Sequence, residues 1–293
     1  MLNHQMRDRV LRHAGRPMHT ALSGLLIAVG QRHGHTEVTT CSPGVCLVLQ
    51  GAKQLVVGDQ VLRQGPGHTF ASAIELPATR CVYETDDGQP YVAVGLIIDV
   101  AMLAELAKDV PVPPSTTGAF NLAAASDALL QAWNHHLALL DTPDDISILA
   151  PLRERELLYR LLQSPHGPLL RQMVRDDGKP EPVLEAIEWL RTHFDEPLAV
   201  KTLADTAGMS VPSFNRHFKA ATSTSPLQYQ KTLRLQAARH LLARDTNAAQ
   251  AASAVGYGSP SQFSREYARY FGRTPKQDGI RLGSEFQDST GLV

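Results

Sequence analysis

Two arginines, Arg216 and Arg265, hold the same place in two copies of one pattern. Ser210-x-x-x-Phe214-x-Arg216-x-Phe218 recurs 49 residues later as Ser259-x-x-x-Phe263-x-Arg265-x-Tyr267. Upstream, Ala204-Asp-Thr-Ala207-Gly208 recurs after 48 residues as Ala252-Ser-Ala-Val255-Gly256. On a helix, residues four apart share a face, so each aromatic pair packs inward and the arginine between them faces outward. Serine is a good N-cap, glycine adopts the left-handed conformation that ends a helix, and Pro212 and Pro260 fall in a first turn, where proline is tolerated. Small Ala204 and Ala252 let two helices approach closely. Each copy therefore reads as a helix, a glycine turn and a second helix. Such a unit lays its second helix in the DNA major groove, where arginine pairs with guanine or grips phosphate.

Charge supports the same chemistry. The 293 residues carry 28 Lys+Arg and 29 Asp+Glu, a net of -1. Pro182 to Arg281 holds 13 basic and 8 acidic residues, a net of +5, which leaves -6 for the rest. A near-neutral chain with one basic block points to a polyanionic partner, although a solvated helical surface has the same composition.

Other chemistries find weaker signals. His33-Gly-His35-Thr-Glu37 has the spacing of a metal triad, but it stands in a polar stretch before the strands, and no second histidine-bearing strand follows; a surface loop is expected and no metal. Cys41 and Cys46 have no basic neighbour in sequence, and Cys46 alternates into a strand, so they read as small buried hydrophobes rather than redox sensors. His135 and His136 are adjacent, do not share a helical face, and read as surface positions. There is no Gly-rich phosphate loop, nucleophile elbow or catalytic dyad, so no cofactor and no catalytic residue are expected. Three cysteines do not make a disulfide framework. With no run of about 18 apolar residues and no secretory signal in Met1–Pro17, a cytoplasmic protein without membrane contact is expected.

The elements follow from periodicity. Val45–Leu49, Gln54–Val57, Gln60–Leu62, His68–Ser72, Cys81–Tyr83 and Tyr91–Ile98 read as short strands, with a hairpin at Gly58-Asp59. Together they suggest a small antiparallel barrel or sandwich with room for one small molecule; His68, Tyr83 and Tyr91 are candidate polar contacts near its mouth. Ala101–Ala107, Leu122–Leu140 and Leu152–Leu162 read as helices; the stripe Leu122, Leu129, Trp133, Leu137 and Leu140 suits either dimerisation or packing on the barrel. Arg175–Pro182 is a polar linker and hinge. Pro226–Leu242 is a helical strut between the two DNA units. The fold class expected is α+β: a β-rich domain at 1–110, a helical connecting or dimerisation region at 111–175, a linker at 176–182, an all-α tandem helix-turn-helix domain at 183–281 and a frayed tail at 282–293.

Over Val183–Arg281 the sequence resembles the AraC/XylS family of bacterial transcription regulators. Leu203-Ala-x-x-Ala-Gly-x-Ser, Phe218-Lys, Ser225-Pro226-x-x-Tyr229, Arg234-Leu-x-x-Ala, Leu241-Leu242, Val255-Gly256-Tyr257, Phe263-x-Arg265 and Phe271-Gly-x-Thr-Pro275 match in order. The N-terminal part more loosely resembles the cupin-like regulatory domain of one branch of these regulators, through Val45–Gly51 with Lys53, Gly65-Pro66-Gly67, Leu76-Pro77 and Arg155–Leu162. The resemblance implies a regulator, not an enzyme. Double-stranded DNA, RNA polymerase, an unidentified small-molecule effector and a second copy of the chain are its implied partners. Carried over by position, the DNA contacts are Pro212, Ser213, Asn215, Arg216 and Lys219 in the first unit and Ser261, Gln262, Arg265 and Arg269 in the second. The competing class is a metal-dependent cupin enzyme fused to a DNA-binding module.

Overall fold

The structure, a computed structural model, describes residues 2–14, 22–30, 36–37, 40–58, 60–77, 80–86, 88–110, 118–174, 182–244 and 246–290. The chain divides into two compact units, Met1–Glu185 with Ala220–Ser223 and Ala186–Lys219 with Thr224–Val293. The fold is α+β, with antiparallel sheets in the first unit and helices in the second.

The first unit begins with helix α1 (Leu2–His13) and continues with strands β1 (Leu25–Val29), β2 (Thr36–Glu37), β3 (Thr40–Cys41), β4 (Gly44–Gln50), β5 (Ala52–Val57), β6 (Gln60–Gln64), β7 (His68–Ser72), β8 (Leu76–Pro77), β9 (Arg80–Glu84) and β10 (Val92–Leu96). Helix α2 (Val100–Asp109), strand β11 (Phe120–Ala124) and helices α3 (Asp127–Ala138), α4 (Ile146–Leu162) and α5 (Gly167–Gln172) follow. A five-stranded sheet runs β1-β10-β4-β7-β11, a four-stranded one β2-β9-β5-β6, and β3 pairs with β8. The hairpin expected at Gly58 forms: Val57 pairs with Gln60, and Gly58 takes the positive φ, +59°, that a tight hairpin turn requires.

Alternation gives β4 two different faces. Val45, Leu47 and Leu49 bury against Leu103, Leu129, Trp133, Leu137, Leu158 and Leu161 of the helices, with Leu47 opposite Val94 of β10 in register. Cys46 points the other way. The helices are thus part of one core with the sheet, not a separate connecting region beginning at 111.

Two helical expectations need correction. Leu122 belongs to β11, where it pairs with Phe70, and helix α3 starts only at Asp127, capped by the Ser126 hydroxyl that accepts from the Leu129 N–H. An edge strand followed at once by a helix had merged into one helical pattern. The rest of the stripe, Leu129, Trp133, Leu137 and Leu140, is buried within its own unit. His136 is buried as well, not on the surface. It lies three residues after Trp133, on the helix face that packs into the core. His135 faces outward, 3.3 Å from Glu156.

Helix α1 is tied down by charge. Arg9, Arg12 and His13 converge on Asp141, just past α3, at 2.7, 3.2 and 3.0 Å. Hydrogen bonds from Arg9, His13 and Arg12 hold that carboxyl well below the usual carboxylate range.

The second unit contains helices α6 (Pro182–Thr192), α7 (Val200–Thr206), α8 (Val211–Thr222), α9 (Pro226–Leu242), α10 (Ala248–Ala254), α11 (Pro260–Phe271) and α12 (Pro275–Thr290). The last helix runs well past 282, where a frayed tail was expected. Helix α9 buries Tyr229, Leu233, Leu235, Ala238 and Leu242, so the expected strut is also the spine of this unit. Asp278 of α12 is buried and ion-paired to Arg239 at 2.9 Å and Arg281 at 3.0 Å, and accepts from the Tyr267 hydroxyl at 2.9 Å. Burial works against its charge, but Arg239, Tyr267 and Arg281 more than offset it and keep the carboxyl below its ordinary pKa. The linker 175–181 lies outside the described residues.

Removing one member of a buried ion network strands the others. Asp278→Ala should cost about 3–5 kcal/mol in urea unfolding of the full chain, and Asp278→Asn less, because it keeps an acceptor for Tyr267. A second prediction concerns pH. Burial pushes His136 and His166 down to about 4, and His166 Nε2 stands 2.7 Å from the Thr69 hydroxyl. Below about pH 6.5 the unfolded chain takes up protons at these positions and the folded unit does not. Stability should therefore fall as pH drops from 6.5 toward 4, by up to about 3 kcal/mol per histidine. Thermal melts across that range should show the slope, and His166→Phe should flatten it.

Candidate DNA interface and effector cavity

The repeated pattern forms two helix-turn-helix units. Helices α7 and α8 make the first, α10 and α11 the second. Gly208 and Gly256 sit at the turns with φ +66° and +79°. Gly256 is doubly constrained, because a Cβ there would collide with the Asp195 carbonyl and crowd Arg234. Ser259 caps α11 by accepting from the Gln262 N–H at 3.3 Å, and Ser210 accepts from the Ser213 N–H at 3.4 Å.

The inward faces are aromatic. The rings of Phe214 and Phe218 lie tilted to one another at 5.7 Å, and Phe218 meets Tyr229 of α9 edge-on at 5.6 Å. In the second unit Phe263 and Tyr267 lie 5.4 Å apart over Ala251, Ala252 and Val255. Arg234 of α9 fixes this frame. Its guanidinium donates to the carbonyls of Phe194, Asp195, Glu196 and Gly256 at 2.7, 3.1, 2.8 and 2.9 Å.

The opposite faces carry the candidate DNA contacts. On α8, Pro212, Asn215, Arg216 and Lys219 are exposed and Ser213 is half-buried. On α11, Ser261, Gln262, Arg265 and Arg269 are exposed. Neither Arg216 nor Arg265 forms an ion pair among the described residues, so neither is explained as an internal salt bridge. Arg216 donates only weakly to the Ser213 hydroxyl at 3.5 Å. Gln262 reaches Glu266 at 3.4 Å, while Glu266 is held by Lys231 at 2.8 Å and the Tyr257 hydroxyl at 2.9 Å. That arrangement leaves the cationic groups facing water.

The first unit holds a cavity of about 290 Å³ between its sheets, with mostly apolar walls from Leu26, Ala28, Leu55, Phe70 and Ala93. Tyr83 and Tyr91 line it, with rings 4.8 Å apart. His68 does not line it. It shares a strand face with Phe70, which does, but stands at the strand's start, exposed, with its ring 3.3 Å from the Pro66 carbonyl. The sequence reading missed Lys53. The alternation that buries Leu55 and Val57 puts Lys53 on the same face, and Lys53 Nζ lies 3.6 Å from Cys46 Sγ. The cysteine without a basic neighbour in sequence thus has one on the facing sheet, across the cavity. Burial disfavours the Lys53 ammonium, but the ionisable groups of Cys46, Cys41, Cys81 and Tyr83 hold its pKa above the ordinary lysine value. It enters the cavity as a cation. Among the described residues no three His, Cys, Asp or Glu side chains gather to hold a metal ion, and His33-Gly-His35 lies outside them. No helix among them is long and apolar enough to cross a membrane.

Known proteins carry the same two modules. Residues 203–278 match a helix-turn-helix domain. The transcriptional activator RhaS of Enterobacter sp. (strain 638) is 33% identical over 134 residues, 45% of this chain and 46% of that protein. RhaS of Salmonella schwarzengrund is 26% identical over 163 residues, 55% of this chain and 57% of that protein. The chain thus spans about half the length of these curated relatives. In fold it is similar to ToxT of Vibrio cholerae O395 bound to (E)-4-(8-methylnaphthalen-1-yl)but-3-enoic acid, with a TM-score of 0.57 at 10% identity over 89% of this chain and 100% of that one. Wild-type ToxT of strain SCE256 with bound unsaturated fatty acid gives 0.57 at 11% identity, over 90% and 97%. The cavity-bearing unit supplies the decisive match: residues 21–169, half of the chain, fit the AraC-type transcriptional regulator N-terminus, and the chain belongs to that family.

Proposed function

We propose that the chain is a sequence-specific DNA-binding transcription regulator. The observation that carries this is the pair of helix-turn-helix units, each with a buried aromatic face and an exposed cationic face on its second helix. In this reading α8 and α11 enter major grooves. Arg265 reads a base, and Arg216 and Lys219 hold phosphate. Pro212, Ser213, Asn215, Ser261, Gln262 and Arg269 complete the two surfaces. The cavity of the first unit takes a small-molecule effector, with Tyr83, Tyr91 and Lys53 as its polar contacts, and RNA polymerase is the protein partner. The fatty acid in ToxT favours a ligand in this place without naming one here.

A homodimer belongs to the proposal, but not through the stripe on α3, which is buried. Ile148 and Leu152, one turn apart on α4, are 71% and 59% exposed and offer the apolar face instead.

Two outcomes test the reading. Operator affinity of the full chain should fall steeply and linearly in log[salt], because phosphate contacts release counterions; a flat salt response sinks it. Arg265→Ala should cost about 1–3 kcal/mol on the operator and relax preference at one or two base pairs, whereas Lys219→Ala should weaken operator and random duplex alike. Quantitative binding to a library of operator variants separates the two patterns.

A further inference from the structure

All three cysteines of the chain, Cys41, Cys46 and Cys81, line the one cavity described above. Among the described residues that line it, Lys53 is the only cation and none is a carboxylate. Lys53 makes no ion pair among the described residues; its ammonium donates to Cys46 Sγ. Tyr91 is 1% exposed, and its hydroxyl finds no hydrogen-bond partner among the described residues. A buried hydroxyl without a partner is costly unless something else fills the space. The site thus offers two hydrogen-bond donors without acceptor oxygens, a thiol beside one of them, and apolar walls.

We propose that Cys46 is a covalent acceptor for small α,β-unsaturated carbonyl compounds, which the cavity seats by their carbonyl oxygen on Lys53 and Tyr91. Of the three thiols, Cys46 is the one whose Sγ the Lys53 ammonium reaches, at 3.6 Å. The other two thiols are disfavoured: burial pushes Cys41 up to about 11, and Cys81 is 1% exposed. In the reaction, Cys46 Sγ bonds to the β-carbon. The alkene π pair shifts to form an enolate, whose oxygen accepts from Lys53 Nζ and the Tyr91 hydroxyl. The proton lost by the thiol ends on the α-carbon. The product is a thioether carrying the whole reagent, and no oxidant or reductant takes part. Donors aimed at the oxygen where charge develops stabilise such a step most in a dry site. Only the regulatory consequence of the adduct rests on the effector reading; its formation does not.

The test uses the full chain and N-ethylmaleimide, a small cyclic compound of this class, followed by intact mass and peptide mapping. The first adduct should add one whole reagent to Cys46, and Cys46→Ser should abolish that fast phase. Lys53→Met should slow it at least about tenfold, because the enolate oxygen loses its charged donor, while Lys53→Arg retains most of the rate. Tyr91→Phe should slow the maleimide but not methyl methanethiosulfonate, whose reaction forms no enolate. Equal labelling of Cys41 or Cys81, or a rate indifferent to Lys53→Met, overturns the proposal. Operator binding measured on the same adduct separates the regulatory reading: labelling at Cys46 with unchanged DNA affinity leaves the covalent site standing and removes the effector role.

Discussion

The guanidinium of Arg234 is the fixed point of the helix-turn-helix unit. Four backbone carbonyls, from Phe194, Asp195, Glu196 and Gly256, accept from it. Three belong to the loop before α7 and one to the turn of the second helix-turn-helix, so a single side chain on α9 locks the strut to elements on both sides. Lysine has neither the fork nor enough fixed donors to do this. Gly256 is required for the same reason: any side chain would push away the Asp195 carbonyl that Arg234 holds. Under the proposed function, α8 and α11 would need a set spacing to enter successive grooves, and a strut helix clamped by charge-assisted hydrogen bonds provides it better than apolar packing alone.

Asp278 does at the far end of α9 what Arg234 does in its middle. It gathers Arg239 of α9, Tyr267 of α11 and Arg281 of α12 around one buried carboxylate. Helix α11 is therefore held from its inward face, while its outward residues Arg265 and Arg269 form no ion pair among the described residues. The same division of labour separates Glu266, committed to Lys231 and Tyr257, from its exposed neighbour Arg265.

What could be read without coordinates depended on whether a signal was local. The doubled Ser–Phe–Arg pattern was legible because helix caps, turn glycines and four-residue spacing all lie within about 20 residues, and Gly208, Gly256, Ser210 and Ser259 take the places their chemistry suggests. The cavity was only half legible. Tyr83 and Tyr91 could be placed by alternation, but His68 shares the correct face at the wrong end of its strand, and strand ends are set by pairing with β4 and β11, which periodicity does not report. Lys53 was missed because a lysine in a strand normally marks a solvent face; its meaning comes from Cys46, seven positions away in sequence but on the facing sheet. His136 shows the same limit on a helix, since adjacent histidines must face apart and only the core decides which turns inward.

Strand β4 joins the two halves of the first unit's chemistry. Cys46 faces the cavity, while its neighbours Val45 and Leu47 face the helical core that holds Trp133 of α3 and Leu158 and Leu161 of α4. A close-packed interior has little free volume to absorb a displaced strand, so a ligand that moves β4 is felt by these helices. Occupancy alone is not regulation, because a ligand shifts an equilibrium only by its difference in affinity between two arrangements. The cavity contains the means for such a difference. The Tyr91 hydroxyl has no partner among the described residues and Lys53 donates only to a thiol sulfur, so an oxygen-bearing ligand would gain hydrogen bonds from both. The energetic lever is therefore polar and sits in the β-rich unit, and the face of α4 that carries Ile148 and Leu152 lies on the helix through which it would act.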